Sequence, residues 1–211
     1  MKEQLSLLKN SPLFLNVNEN SIEEIVKSIS YKTKTYTKGE AIFSQGEVIH
    51  CFGIILSGQA QIESIDHMGN KVIIDIIEKG NIFGEVFAFS NNAKLTLTSV
   101  SLMETTVLLI DKNKILKSSA PDAQVVISNL FNIFSAKCII LSNKINILSK
   151  RTISDKLLTY LTQNPYTLDG KTIVAKIPLP RHKLADLLSC DRSSLQREIA
   201  KLQDSGVIKL I

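Results

Sequence analysis

Pro180-Arg181-His182-Lys183-Leu184-Ala185-Asp186-Leu187-Leu188-Ser189-Cys190-Asp191-Arg192-Ser193-Ser194-Leu195-Gln196-Arg197-Glu198-Ile199-Ala200-Lys201-Leu202 decides how the rest of this 211-residue chain is read. Leu184, Ala185 and Leu188 fall on one face of a first short helix. Leu195, Ile199 and Leu202 recur at four- and three-residue steps on one face of a second. Ser189-Cys190-Asp191 makes the turn between them, with Asp191 placed to cap the second helix. The small Ala185 lets the helices cross closely. This is a helix-turn-helix pattern. Arg192, Ser193 and Ser194 open the second helix, and Gln196 and Arg197 lie on its polar side. Such groups donate to base edges and phosphates, as a helix in the major groove of DNA must. An ordinary helical hairpin shares the spacing, so charge has to separate the two readings.

The charge is unevenly placed. Residues 1–148 hold 14 Lys+Arg and 14 Asp+Glu, whereas residues 149–211 hold 11 and 6, the whole net charge of +5. A basic excess confined to the segment with the helix pair is the footprint of a polyanionic partner. Apolar content of 44% is ample for packed cores. No uninterrupted apolar run approaches the roughly 18–20 residues of a membrane span, and the N-terminus lacks a signal-peptide pattern. A cytoplasmic address is expected. Cys51, Cys138 and Cys190 are scattered and odd in number. They form neither a disulfide framework nor a zinc site, and each is expected to be a small buried hydrophobe.

Upstream, residues 1–30 read as helical, interrupted at Ser11-Pro12-Leu13-Phe14, with Ser21 and Glu24 as a capping box for a helix buried through Ile22, Ile25, Val26 and Ile29. From Tyr31 to Ile110 short β-rich runs alternate with glycine turns at Gly39, Gly46, Gly58, Met68-Gly69-Asn70 and Gly80. Examples are Phe52–Leu56, Gln59–Ile65, Val72–Ile77, Thr96–Ser101 and Thr105–Ile110. That texture predicts an antiparallel sandwich or barrel. Asn81-Ile82-Phe83-Gly84-Glu85-Val86-Phe87-Ala88 interrupts it. A glycine followed by an acid suits either a plain turn or a ligand loop that offers backbone N–H groups and a carboxylate.

Lys112–Ser118 reads as a short helix, and Pro121-Asp122 opens a long one of about 28 residues, roughly 40 Å. Leu130, Phe134, Leu141, Ile145 and Leu148 form its apolar seam. The chain has no second long helix to cover that seam, so the seam is expected at the two-fold axis of a homodimer. Thr152, with Asp155 three residues on, starts the next helix after a hinge at residues 149–151. Thr172–Ile177 and Val207–Ile211 read as strands on either side of the helix pair, which makes it a winged helix-turn-helix. The expected domains are 1–119, a sensory barrel, 120–148, a dimerisation helix, and 149–211, a DNA-binding domain, in an α+β chain.

In this order the parts resemble the cAMP-receptor-protein/FNR family of bacterial transcription regulators. The resemblance covers nearly the whole chain and implies a cyclic-nucleotide-binding-like β jelly roll, a long dimerisation helix and a C-terminal winged helix-turn-helix. The family's glycine positions look matched by Gly39, Gly46, Gly58, Gly69, Gly80 and Gly84. Its base-reading positions fall on Arg192, Ser193, Gln196 and Arg197, and its phosphate contacts on Arg181, His182 and Ser194. The partners implied are double-stranded DNA with a near-palindromic site, a second copy of the chain, RNA polymerase and an unidentified small-molecule effector. No membrane and no cofactor are expected.

Departures from the family pattern narrow the effector. The resemblance places the pocket at Gly84, Glu85, Leu95, Thr96, Leu141 and Ser142. Gly84 and Glu85 match the ribose contact, but Leu95-Thr96 stands where cAMP-binding members carry Arg-Ser for the cyclic phosphate, and Leu141-Ser142 replaces Thr-Ser at the adenine. A phosphate buried without a counter-charge costs several kcal/mol, and Lys94 falls on the opposite face of the expected strand. The barrel is therefore expected not to bind cAMP. An iron–sulfur cluster needs about four thiolates, and no cysteine precedes Cys51. His50, His67 and His182 are isolated, which argues against a haem, a metal sensor or a cupin-type enzyme. Ser189 stands where the family turn often has Gly. Glu198 occupies a usually apolar slot, so either the helix rotates or Glu198 points outward. The competing reading is a ligand-binding module whose C-terminal domain binds protein rather than DNA.

Overall fold

The computed structural model describes residues 2–65 and 71–210. The expected turn at Met68-Gly69-Asn70 and His67 lie outside the described residues. The chain forms two compact units, Met1–Phe134 and Ser135–Ile211. The division falls within the long helix rather than at 119/120 and 148/149.

The N-terminal unit begins with α1 (Lys2–Lys9), a 3₁₀ turn (Pro12–Phe14) and α2 (Glu19–Ile29). The expected capping box at Ser21 is not where α2 starts. Asn18 begins it instead, its Oδ1 accepting from the Asn20 N–H at 3.1 Å and its carbonyl from the Ser21 N–H at 2.9 Å. Asn is as good a cap as Ser and lies upstream, so it takes the role. Ile22, Ile25 and Ile29 turn inward.

Eight strands follow: β1 (Ser30–Tyr36), β2 (Ala41–Phe43), β3 (Cys51–Ser57), β4 (Ala60–Ile65), β5 (Lys71–Ile77), β6 (Ile82–Phe83), β7 (Thr98–Ser101) and β8 (Thr105–Asp111). They make two four-stranded antiparallel sheets, ordered β1-β8-β3-β6 and β2-β7-β4-β5. Together they are the jelly roll. Phe52, Ile54, Ile55, Val107 and Ile110 fill its core. Gly58 shows why glycine punctuates the strands: φ is +79°, and a Cβ there would sit 2.6 Å from the Thr105 Oγ1. Sequence reading missed β1, β2 and β6, which are short or lysine- and threonine-rich and lack a clean apolar alternation.

Two short helices, α3 (Glu85–Phe89) and α4 (Lys112–Lys117), precede α5 (Ala123–Leu148). Ala123, Val126, Asn129 and Leu130 of α5 are buried. Asn129 Nδ2 donates to the carbonyls of Leu13 at 3.1 Å and Leu15 at 2.7 Å, tying α5 to the N-terminal segment. Leu130 is 3% exposed and sits in the jelly-roll core, so it is not available to a partner. The expected seam is corrected at that residue. Phe134 is partly buried against the same core. Leu141 and Ile145 are open, at 59% and 68% exposure. By length and composition α5 is apolar enough to cross a membrane, although only 17% of that window is buried. Searching for unbroken apolar runs overlooked this, because Lys137 and Lys144 interrupt the run while leaving the average high. Cys138 is exposed rather than buried, and Cys51 and Cys190 are partly buried.

The C-terminal unit carries α6 (Ile153–Gln163), β9 (Tyr166–Asp169), β10 (Thr172–Ala175), α7 (Arg181–Leu188), α8 (Arg192–Asp204) and β11 (Ile208–Leu210). Thr152 caps α6 as expected, its Oγ1 accepting from the Asp155 N–H at 3.0 Å. β9 and β10 form a hairpin through Gly170, and β11 adds in parallel to β10. Leu157, Leu161, Leu184, Leu188, Leu195 and Ile199 close the core.

Candidate nucleic-acid interface and effector loop

The helix pair owes its geometry to the apolar faces of α7 and α8 and to the turn between them. Ser189 takes the left-handed conformation at φ 50°, ψ 58°. That explains the glycine expected at this position; a side chain there costs about 1–2 kcal/mol. Lys156 Nζ on α6 donates to the Leu188 carbonyl at 3.1 Å, satisfying one of the orphan acceptors at the end of α7. Burial pushes the Cys190 thiol above its ordinary pKa, with Lys156 opposing this.

Arg181, the first residue of α7, is carried to the N-terminal end of α8. Together with Asp191, Arg192, Ser193 and Gln196 it lines an open recess of about 600 Å³. Arg181 Nη1 is buried and has no hydrogen-bond partner among the described residues. Arg192, Ser193, Gln196 and Arg197 are exposed. Arg197 Nη2 donates to the Ser194 Oγ at 3.2 Å, so these two act as a pair beside the recess. His182 is exposed at the start of α7 but does not line the recess. Four donor-bearing side chains, Arg181, Arg192, Ser193 and Gln196, therefore line one recess at the positive end of a 13-residue helix.

Two details differ from expectation. Asp191 has the extended backbone of an N-cap, yet its side chain makes no capping hydrogen bond. Sequence reading took it for a cap and missed it as a residue of the recess. Glu198 does not point outward: it is 25% exposed, one oxygen is buried with no hydrogen-bond partner among the described residues, and the other lies 3.6 Å from Lys201 Nζ.

The loop singled out as a candidate effector loop is built around Gly84 at φ +79°, where a Cβ would meet the Phe43 ring at 3.0 Å. This turn starts α3 with Glu85 as its first residue, 1% exposed. Phe89 at the other end of α3 packs edge-on against Phe134 of α5, with ring centroids 5.8 Å apart. Leu95 is buried; its N–H donates to the Glu47 carbonyl and its carbonyl accepts from the Gly46 N–H, both at 2.8 Å. Thr96 lies in a bend before β7 and is exposed, so the strand expected from Thr96 starts at Thr98 and Thr96 does not face inward. Lys94 is exposed. Leu141 and Ser142 are exposed on the second half of α5. The protein thus supplies the buried acid of the expected pocket and an apolar side chain where a cation was required.

Comparison with known proteins gives a consistent result. Residues 33–119 match the cyclic nucleotide-binding domain. Over nearly its whole length the chain is similar to an anaerobic regulatory protein of Bacillus subtilis, 24% identical across 98% of this chain and 87% of that protein. It is likewise similar to a CRP-like cAMP-activated global transcriptional regulator of Mycobacterium tuberculosis, 21% identical across 97% and 91%. Among solved structures it resembles the catabolite activator protein of Thermus thermophilus, with a TM-score of 0.52, 20% identity, and coverage of 95% of this chain and 91% of that one.

Proposed function

We propose that the chain, similar over nearly its whole length to regulators of the cAMP-receptor-protein/FNR family, is a cytoplasmic homodimeric transcription regulator of that family that binds a near-palindromic DNA site through α8. The observation that carries this reading is the recess at the start of α8, where Arg181, Arg192, Ser193 and Gln196 converge within residues 149–211, the segment that holds the whole net charge. Arg181, His182 and the Arg197–Ser194 pair serve the phosphates or the base edges beside them, which set register and sequence respectively. A symmetric site follows from two copies joined along the exposed part of α5, with half-sites one DNA turn, about 34 Å, apart. That second copy also covers the apolar face that would otherwise suit a membrane. Of residues 120–148, the exposed second half then acts as the dimerisation element, and RNA polymerase is the expected further partner.

The effector reading follows from charge. A cyclic phosphate in the barrel needs a paired cation, and the buried Leu95 offers none. cAMP is therefore not the ligand, and a non-nucleotide effector would act at Glu85 and reach α5 through the Phe89–Phe134 contact. Such a ligand works by favouring the conformation in which the two recognition helices match the DNA repeat.

Fluorescence anisotropy on a duplex selected from a random pool tests the DNA reading. Arg197→Ala should weaken specific binding by about 1–3 kcal/mol while the fold, read by circular dichroism, stays intact. Equal binding of wild type and variant to selected and random duplexes would favour a protein-binding role for the C-terminal unit. Calorimetry with cAMP should show no saturable heat at micromolar concentration. Binding that is lost in Glu85→Ala would show that another group replaces the missing cation.

A further inference from the structure

Asp191 is placed to cap α8 and does not do so. Its backbone has the N-cap conformation, φ −67°, ψ 139°, and its carbonyl accepts from the Leu195 N–H at 2.9 Å. The side chain nevertheless makes no capping bond; it is exposed and lines the recess with Arg181, Arg192, Ser193 and Gln196. The same residue type at α4 behaves otherwise. Asp111 Oδ1 accepts from the N–H groups of Asn113 at 2.8 Å and Lys114 at 3.2 Å. Aspartate is among the best cap residues, so a carboxylate held out of the cap, in the recess that Arg181 and Arg192 also line, calls for another role.

We propose that Asp191 is a specificity-determining residue, accepting the exocyclic amino group of one base per half-site and repelling backbone phosphate from the recess. An ionised carboxylate only accepts hydrogen bonds. In the major groove the base-edge donors are the N4 amino group of cytosine and the N6 amino group of adenine. Every base pair presents one amino and one keto group there, so a carboxylate distinguishes the two orientations of a pair. Its charge also opposes the sequence-independent attraction that Arg181 and Arg192 exert on any phosphate. The recess would then be selective rather than simply adhesive.

The inference rests on the DNA-binding reading, and the test separates the two. Wild type and Asp191→Asn, both full-length, are each used to select duplexes from a randomised pool, and anisotropy then measures affinity for the selected and a scrambled duplex over a range of salt. Asparagine keeps the capping ability and the size but loses the charge and gains a donor. Asp191→Asn should bind the scrambled duplex about tenfold tighter and weaken the preference for cytosine or adenine at one position per half-site, because its amide still accepts from amino groups but also donates to keto groups. Asp191→Ala should lose the same preference, with a lower melting temperature if the cap forms on DNA. An unchanged preference in Asp191→Ala, which has no acceptor left, overturns the proposal, whether or not scrambled affinity rises, because Asp191 then only caps the helix or only repels. If wild type selects no sequence at all, the DNA-binding reading fails first and the inference falls with it.

Discussion

The two halves of α5 make opposite use of apolar side chains. From Ala123 to Phe134 the helix buries Ala123, Val126 and Leu130 in the jelly-roll core and pins the preceding segment through Asn129. From Ser135 to Leu148 it leaves Ile139, Ile140, Leu141 and Ile145 open, and Ile147 alone of its large aliphatic residues is buried. Burying a leucine or isoleucine is worth about 1.5–3 kcal/mol. Four such residues left in water on one short stretch forgo much of what the first half gains, unless something covers them. The first half stabilises the fold; the second offers a surface of the kind two copies share.

The largest expected effect is on the first half. Leu130→Ala should cost about 2–5 kcal/mol, read as a lower urea midpoint for the wild-type fold. A loss below about 1 kcal/mol would mean that Leu130 is not packed as described. On the second half, Leu141→Lys should leave that midpoint for the monomer nearly unchanged and raise the dimer dissociation constant more than a hundredfold, since like charges meeting across an interface cost several kcal/mol. Sedimentation velocity decides it: a variant that stays dimeric removes the second half of α5 from the interface.

A smaller effect sharpens the same contrast. Cys138 lies three residues before Leu141 and seven before Ile145, on one helix face. It is exposed in the single chain and should be shielded in the dimer. Alkylation at pH 7.5 should be roughly tenfold faster in Leu141→Lys than in wild type, following access to the thiolate. Cys51 and Cys190 should react slowly in both, because burial, the leading cause at each, pushes both thiols above their ordinary pKa and lowers the thiolate fraction at that pH. Equal labelling of Cys138 in the two proteins would place it outside any interface.

What the sequence made legible follows the strength of local chemistry. The α7–α8 pair was readable because Leu184, Ala185, Leu188, Leu195, Ile199 and Leu202 are all buried at helical spacing, and Thr152 announced α6 by its side chain. Leu130 was misplaced because three- and four-residue steps along α5 generate two adjacent stripes. Spacing alone cannot tell the stripe that meets the barrel from the one left open. Tyr166–Asp169 was missed because all four residues are exposed and carry no inside–outside alternation. Of the candidate effector residues, Glu85 and Leu95 are buried, whereas Thr96, placed beside them by the family resemblance, is exposed in the bend at 96–97. Asp191 was read from its position, which is that of a cap; only the geometry of its side chain reveals otherwise.

The central claim is that two copies of the basic recess face one DNA molecule. The most direct test counts protein chains on a selected duplex while half-site spacing is varied, by native mass spectrometry with anisotropy at matched salt. The account predicts two chains per duplex, tightest binding at a centre-to-centre spacing of about 10 base pairs, and affinity that falls steeply as salt rises. One chain per duplex, or affinity indifferent to the spacing, would contradict it.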